Sequence, residues 1–175
     1  MALKTDIFRE LKMGKEVFHP LEYDTDSFTM NWTMEKGGKV PPHFHEYMNE
    51  HFTVTKGEVT FVVNGAKITK KAGEEFFVAK GVPHSIVNKY GSQIGLKVRY
   101  EPCADTHRLF EIMAVLDQQK PGSMVNMLKY FYLYPRLGLK PFSSVHPKFV
   151  MAIMQGIVNV VGNVSGWRKL VKEFN

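Results

Sequence analysis

The sequence predicts a mainly β domain, a sandwich or barrel, followed by a helical C-terminal region. Three observations point there. Short runs of alternating apolar and polar residues recur between glycines from about residue 25 to 101. Asn64-Gly65, flanked by "TFVV" and "AKIT", has the composition of a two-residue hairpin turn with both central residues at positive φ. After Pro102 the apolar period changes from two to that of a helix.

Taken in order, "SFTMNWTM" alternates as a strand and stops at Gly37-Gly38. "EHFTVTKGEVTFVVNGAKITKKAGEEFFVAKG" divides into several short strands, and "HSIVNKY" and "QIGLKVRYEP" supply two more. In "DTHRLFEIMAVLDQQ", Leu109, Ile112, Met113 and Leu116 fall on one helical face, with Asp105 or Thr106 as the N-cap. "SMVNMLKYFYLYP" and the run after His146-Pro147 read as two further helices, with Pro147 suited to a first turn. The expected organisation is an N-terminal segment, 1–24, packing on a β-barrel, 25–101, with a helical extension, 102–175.

Composition narrows the function classes. With 175 residues, 44% of them apolar, the chain can bury a core without staples. Its single cysteine, Cys103, allows neither an internal disulfide nor a CxxC site, and reads as packing. The N-terminal stretch has no apolar h-region, so no signal peptide is expected and the chain reads as cytoplasmic. Residues 149–167 carry no charge and approach bilayer-spanning length. Yet Gln155, Asn159 and Asn163 recur every four residues and form one polar stripe, which makes this an amphipathic or core helix.

Net charge is +6, and residues 102–175 hold nine Lys/Arg against four acids. The tail helices are expected to dock on the barrel or pair two protomers as a homodimer, ahead of membrane contact. The first 25 residues are too few for a helix-turn-helix, so no nucleic-acid partner is expected. GxGxxG, P-loop and GxSxG patterns are missing.

The chemistry concentrates in "PPHFHEYMNEHF", residues 41–52. On a strand His43 and His45 share a face, about 7 Å apart, and converge on one ion if the strand bends. Glu50 can join from the next strand after a short loop. His84 follows a Gly-Val-Pro turn at the start of a later strand, and pairing that strand with the His43 strand completes three imidazoles and one carboxylate. His51, next to Glu50, should point outward, and Glu46 should lie in the loop, an alternate carboxylate if that loop is mobile. His19, His107 and His146 have no clustered partners in the sequence.

Gly37, five residues, His43-x-His45, four residues, Glu50, six residues and Gly57 form one pattern. Gly73, five residues, Ala79-x-Gly81, two residues, His84, three residues and Asn88 form a second. Together, in this order and spacing, they resemble the two motifs of the cupin superfamily. Ala79 departs from the usual proline, which affects a turn and no ligand. The resemblance implies a double-stranded β-helix, a jelly-roll-like barrel of six to eight strands, with one metal held by His43, His45, Glu50 and His84. The loose likeness of the tail to cupins ending in apolar helices brings no activity with it.

Three imidazoles and a carboxylate suit one divalent transition metal such as Fe, Mn, Zn or Ni, and ligand type does not choose among them. Such a set leaves positions open for water or substrate, unlike a structural zinc. The expected barrel interior draws on Trp32, Met34, Phe52, Val54, Phe61, Val63, Phe76, Val78, Ile86 and Val98. A small, mostly apolar or aromatic ligand in the barrel follows. The expected function is a metal-dependent enzyme, a dioxygenase-like oxidoreductase ahead of an isomerase, with a non-catalytic small-molecule binding or sensing protein as the alternative.

Overall fold

The computed structural model describes residues 10–89, 92–103, 106–120, 123–139 and 143–174. Strands come first: β1 (Leu11–Met13), β2 (Glu16–Tyr23), β3 (Phe28–Met34), β4 (Lys39–Phe44), β5 (Asn49–Lys56), β6 (Glu58–Val63), β7 (Ala66–Lys71), β8 (Glu75–Val78), β9 (His84–Val87) and β10 (Ile94–Glu101). Helices α1 (Thr106–Gln119) and α2 (Met124–Leu133) follow, then β11 (Ser143–Ser144), α3 (Lys148–Val164) and α4 (Arg168–Phe174). Two antiparallel sheets form, in the orders β1-β2-β3-β10-β5-β8 and β11-β4-β9-β6-β7. Strands β3 to β10 contribute four to each sheet, and these eight make the double-stranded β-helix.

Alternation explains what faces inward. Phe28, Met30, Trp32 and Met34 on β3, and Ile94, Leu96, Val98 and Tyr100 on β10, are all buried. The ten residues expected to line the interior all belong to this core, with Val63 and Phe76 partly buried at its margin. Asn64 and Gly65 take φ of 49° and 83°, as a type I′ turn between β6 and β7 requires.

Strand structure starts earlier than the sequence suggested. Residues 11–23 form β1 and β2, which extend the first sheet beyond β3. Pro20 disguises β2 in the sequence; it is accommodated because the ladder shifts register between Pro20 and Glu22. Residues 1–9 lie outside the described residues.

The helical region divides its attachments. Phe110 of α1 packs its ring 5.1 Å from Phe18 and 5.6 Å from Phe28, and Ala114 joins the same barrel core. Leu109, Ile112 and Leu116 on the other side of α1 gather a second core with Tyr132, Leu133 and Trp167. Burying one such side chain is worth about 1.5–3 kcal/mol, so α1 holds the two cores together. Thr106 does not act as the expected cap: it opens the helix, and its hydroxyl donates to Met48 Sδ at 3.0 Å. Asp105 lies outside the described residues. Cys103 is buried in the barrel core.

Candidate metal centre

Pro41 and Pro42 shape the strand that carries the first histidine. β4 pairs with β9 at Lys39 and Val40, slips register, and pairs again where His43 meets His84. The prolines sit in the gap, where their missing N–H groups break the ladder and let the strand bend. His43 thus stays on the strand, whereas β4 ends at Phe44 and His45 lies in the following loop, not on the strand as expected. That loop is tied down from the second motif: Gly81, at φ 78°, donates its N–H to the His45 carbonyl at 2.7 Å. The substituted turn keeps its closure, with Val82 N–H donating to the Ala79 carbonyl at 3.2 Å. At the far end of β4 and β9, Gly37 N–H donates to Asn88 O and Asn88 N–H to Gly38 O. The spacing of the motifs is therefore the spacing of a paired ladder.

His43, His45, Glu50 and His84 each offer one ligand atom, and these atoms all lie within 4.8 Å of one another. Glu50, on β5, is buried, as are His45 and His84; His43 is half-buried. Glu50 Oε2 lies 2.6 Å from His84 Nε2 and 3.5 Å from His45 Nε2. Nδ1–H of His43 donates to the Pro41 carbonyl at 2.9 Å, and Nδ1–H of His84 donates to the Val82 carbonyl at 2.9 Å. A carbonyl only accepts, so in both rings Nδ1 is protonated, and Nε2 is turned to the centre. This is the orienting contact that metal-binding imidazoles use. Ligands held at about 2.1 Å by one ion sit no more than about 4.2 Å apart, so small side-chain adjustments close the shell. The four residues fit a divalent transition metal.

Electrostatics agree with that fit. Burial, reinforced by the charge of His84, pushes His43 down to about 4, which keeps its imidazole neutral. Burial opposes the charge of Glu50, but its contacts with His45 and His84 outweigh burial and hold the carboxyl far below its ordinary range. For His84 burial lowers the pKa, and the Glu50 hydrogen bond and charge more than restore it.

Tyr100, absent from the sequence-based set, belongs to this centre. It faces Glu50 across β10 and β5, and its hydroxyl hydrogen-bonds the same carboxylate. Burial first, then the charge of Glu50, raises the phenol well above its normal range. The alternation Ile94, Leu96, Val98, Tyr100 was the signal that could have found it. His51 is exposed and packs on Phe77, and Glu46 is an exposed loop residue accepting from Ser143 Oγ at 2.7 Å. His107 stacks on Tyr23, while His19 and His146 are exposed.

A cavity of about 420 Å³ lies elsewhere, where β1, β2 and β4 meet α1 and α2. None of the four ligands lines it, although Pro41, the carbonyl partner of His43, does. Glu16 also lines it, and burial raises its carboxyl to about 7.

The family model described as "Cupin domain" matches residues 30–94, the stretch that contains both motifs and all four candidate ligands. Residues 30–94 are a cupin domain. KdgF from Halomonas sp. is similar in structure, with a TM-score of 0.52 and 16% identity over 61% of this chain and 98% of that one. An RmlC-like cupin from Shewanella frigidimarina aligns with a TM-score of 0.50 and 22% identity, over 54% of this chain and 84% of that one. At these identities the likeness concerns the fold alone. No curated protein matches this chain at a significant level. The family match ends at residue 94, so its helices lie outside it.

Proposed function

We propose that this cupin is a metal-dependent enzyme, dioxygenase-like ahead of isomerase, acting on a small, mostly apolar or aromatic ligand inside the barrel. The observation that carries the reading is the convergence of three imidazoles and one carboxylate in an apolar barrel. A bound divalent metal would supply Lewis-acid or oxygen chemistry there. The chain's own part is to orient the ligand atoms through Pro41 and Val82, to hold Glu50 through Tyr100, and to exclude water with aromatic walls. Among the described residues no Lys or Arg is buried, so no fixed cation awaits a phosphate or carboxylate inside. That favours an apolar ligand.

A second reading, a binding or sensing cupin without turnover, has its own support. Tyr100, whose phenol is raised well above its usual value, is no base at neutral pH. Fe(II)-loaded protein, tested for oxygen uptake with small aromatic enols and diols, separates the two. Uptake that depends on both the protein and the added compound is expected. A compound that raises the melting temperature without being consumed would transfer the assignment to the binding reading.

A further inference from the structure

Helix α3 wears its polar side inward. Gln155 Nε2 donates to the Phe131 carbonyl at 3.3 Å, Asn159 Oδ1 accepts from Arg136 at 2.9 Å, and Asn163 Oδ1 accepts from the Tyr132 hydroxyl at 2.8 Å. The polar stripe seen in the sequence is therefore spent on α2 and the turn after it. The opposite side bears Phe149, Ile153, Ile157, Val160 and Val164, which are 59–86% exposed. A helix of 17 residues is about 25 Å long, so this is a continuous apolar band, larger than scattered surface residues explain.

Charge selects the occupant. From Gln118 to Lys172 the sequence holds eight Lys/Arg and no Asp or Glu. Exposed Lys148 opens α3, and exposed Arg168 and Lys169 follow it directly in α4. A second copy would bring the same positive charge to the same face and be repelled. An apolar helical band bordered by bases, with no acid from Gln118 to Lys172, is the combination that seats a helix among anionic head groups.

We propose that the outer face of α3 docks on a lipid surface with anionic head groups, the helix lying in the plane of the interface. Among the described residues no single helix is long and apolar enough to cross a membrane, and α3 with α4 qualifies only as a pair bent by 93°. The band thus suits lying on a bilayer.

Flotation with vesicles of phosphatidylglycerol and phosphatidylcholine, against phosphatidylcholine alone, tests this on the full chain. The wild type should float with the anionic vesicles, and added salt should weaken it. Ile157→Ser with Val160→Ser, both at exposed positions, should bind at least about tenfold more weakly with circular dichroism unchanged. Lys169→Gln with Lys172→Gln should also weaken binding. Absence of flotation, or equal flotation of the serine variant, would overturn the proposal. A dimer in sedimentation that the serine variant abolishes, without vesicle binding, would give the face to a second copy instead.

Discussion

His84 Nε2 sits 2.6 Å from Glu50 Oε2 while its Nδ1–H is committed to the Val82 carbonyl. The ring is thus fixed from both sides before any metal is considered, and Glu50 is its buried partner. Replacing Glu50 by Gln leaves the shape and removes the charge. In metal-free protein this should cost about 1.5–3 kcal/mol in chemical denaturation, the range for hydrogen bonds to charged groups. A variant as stable as the wild type would mean that the pair contributes nothing to the fold.

Tyr100 grips the same carboxylate from β10. Tyr100→Phe keeps the buried ring and loses only the hydroxyl. Affinity for Zn(II) or Mn(II), read by competition with a chelator, should fall about 10- to 100-fold, as for other residues that position metal ligands. Unchanged affinity would remove Tyr100 from the centre.

Glu16 provides a pH signature away from the metal ligands. Its carboxyl is raised by burial from 4.5 to about 7, so folding favours the protonated form. The stability this contributes is complete below about pH 4.5 and is lost as pH rises through about 7. Glu16→Gln stays neutral throughout. With metal removed by chelator, the variant should gain on the wild type between pH 4.5 and 8, by up to about 3 kcal/mol. A difference that stays flat over that range would show that Glu16 titrates normally.

Two glycines in α3 should respond in opposite directions. A Cβ at Gly162 would meet the ring of Tyr132, which is fully buried, whereas a Cβ at Gly156 meets nothing within 4 Å. Gly162→Ala should lose about 1–3 kcal/mol through overpacking. Gly156→Ala should gain about 0.5–1 kcal/mol by the ordinary helix preference. Thermal melts of the two variants check both signs. Equal effects would mean that α3 does not press on α2 at Gly162.

The clustering of His43, His45, Glu50 and His84 was legible in the sequence because both motifs encode one ladder. Gly37 pairs with Asn88 and His43 with His84, so residue spacing was already geometry. Asn64-Gly65 was legible because few residue pairs accept two positive φ angles. Tyr100 was hidden because partnership with Glu50 depends on which strands become neighbours, and β5 and β10 lie far apart in the chain. His45 was misplaced because a strand was assumed to continue past Phe44. The polar stripe of α3 was visible, but periodicity says only that a helix has two sides. Which side meets the protein is decided by Tyr132 and the Phe131 carbonyl on α2 and by Arg136 in the turn after it.

Metal content is the most direct test of the centre. Untagged protein would be reconstituted in turn with Fe(II), Mn(II), Ni(II) and Zn(II), dialysed, and analysed by inductively coupled plasma mass spectrometry. His43→Ala and His84→Ala would be run in parallel. Near-stoichiometric metal in the wild type, lost in both variants while each stays folded, is the expected result. Folded wild type that retains none of the four metals, or variants that retain as much as the wild type, would contradict a metal centre at His43, His45, Glu50 and His84.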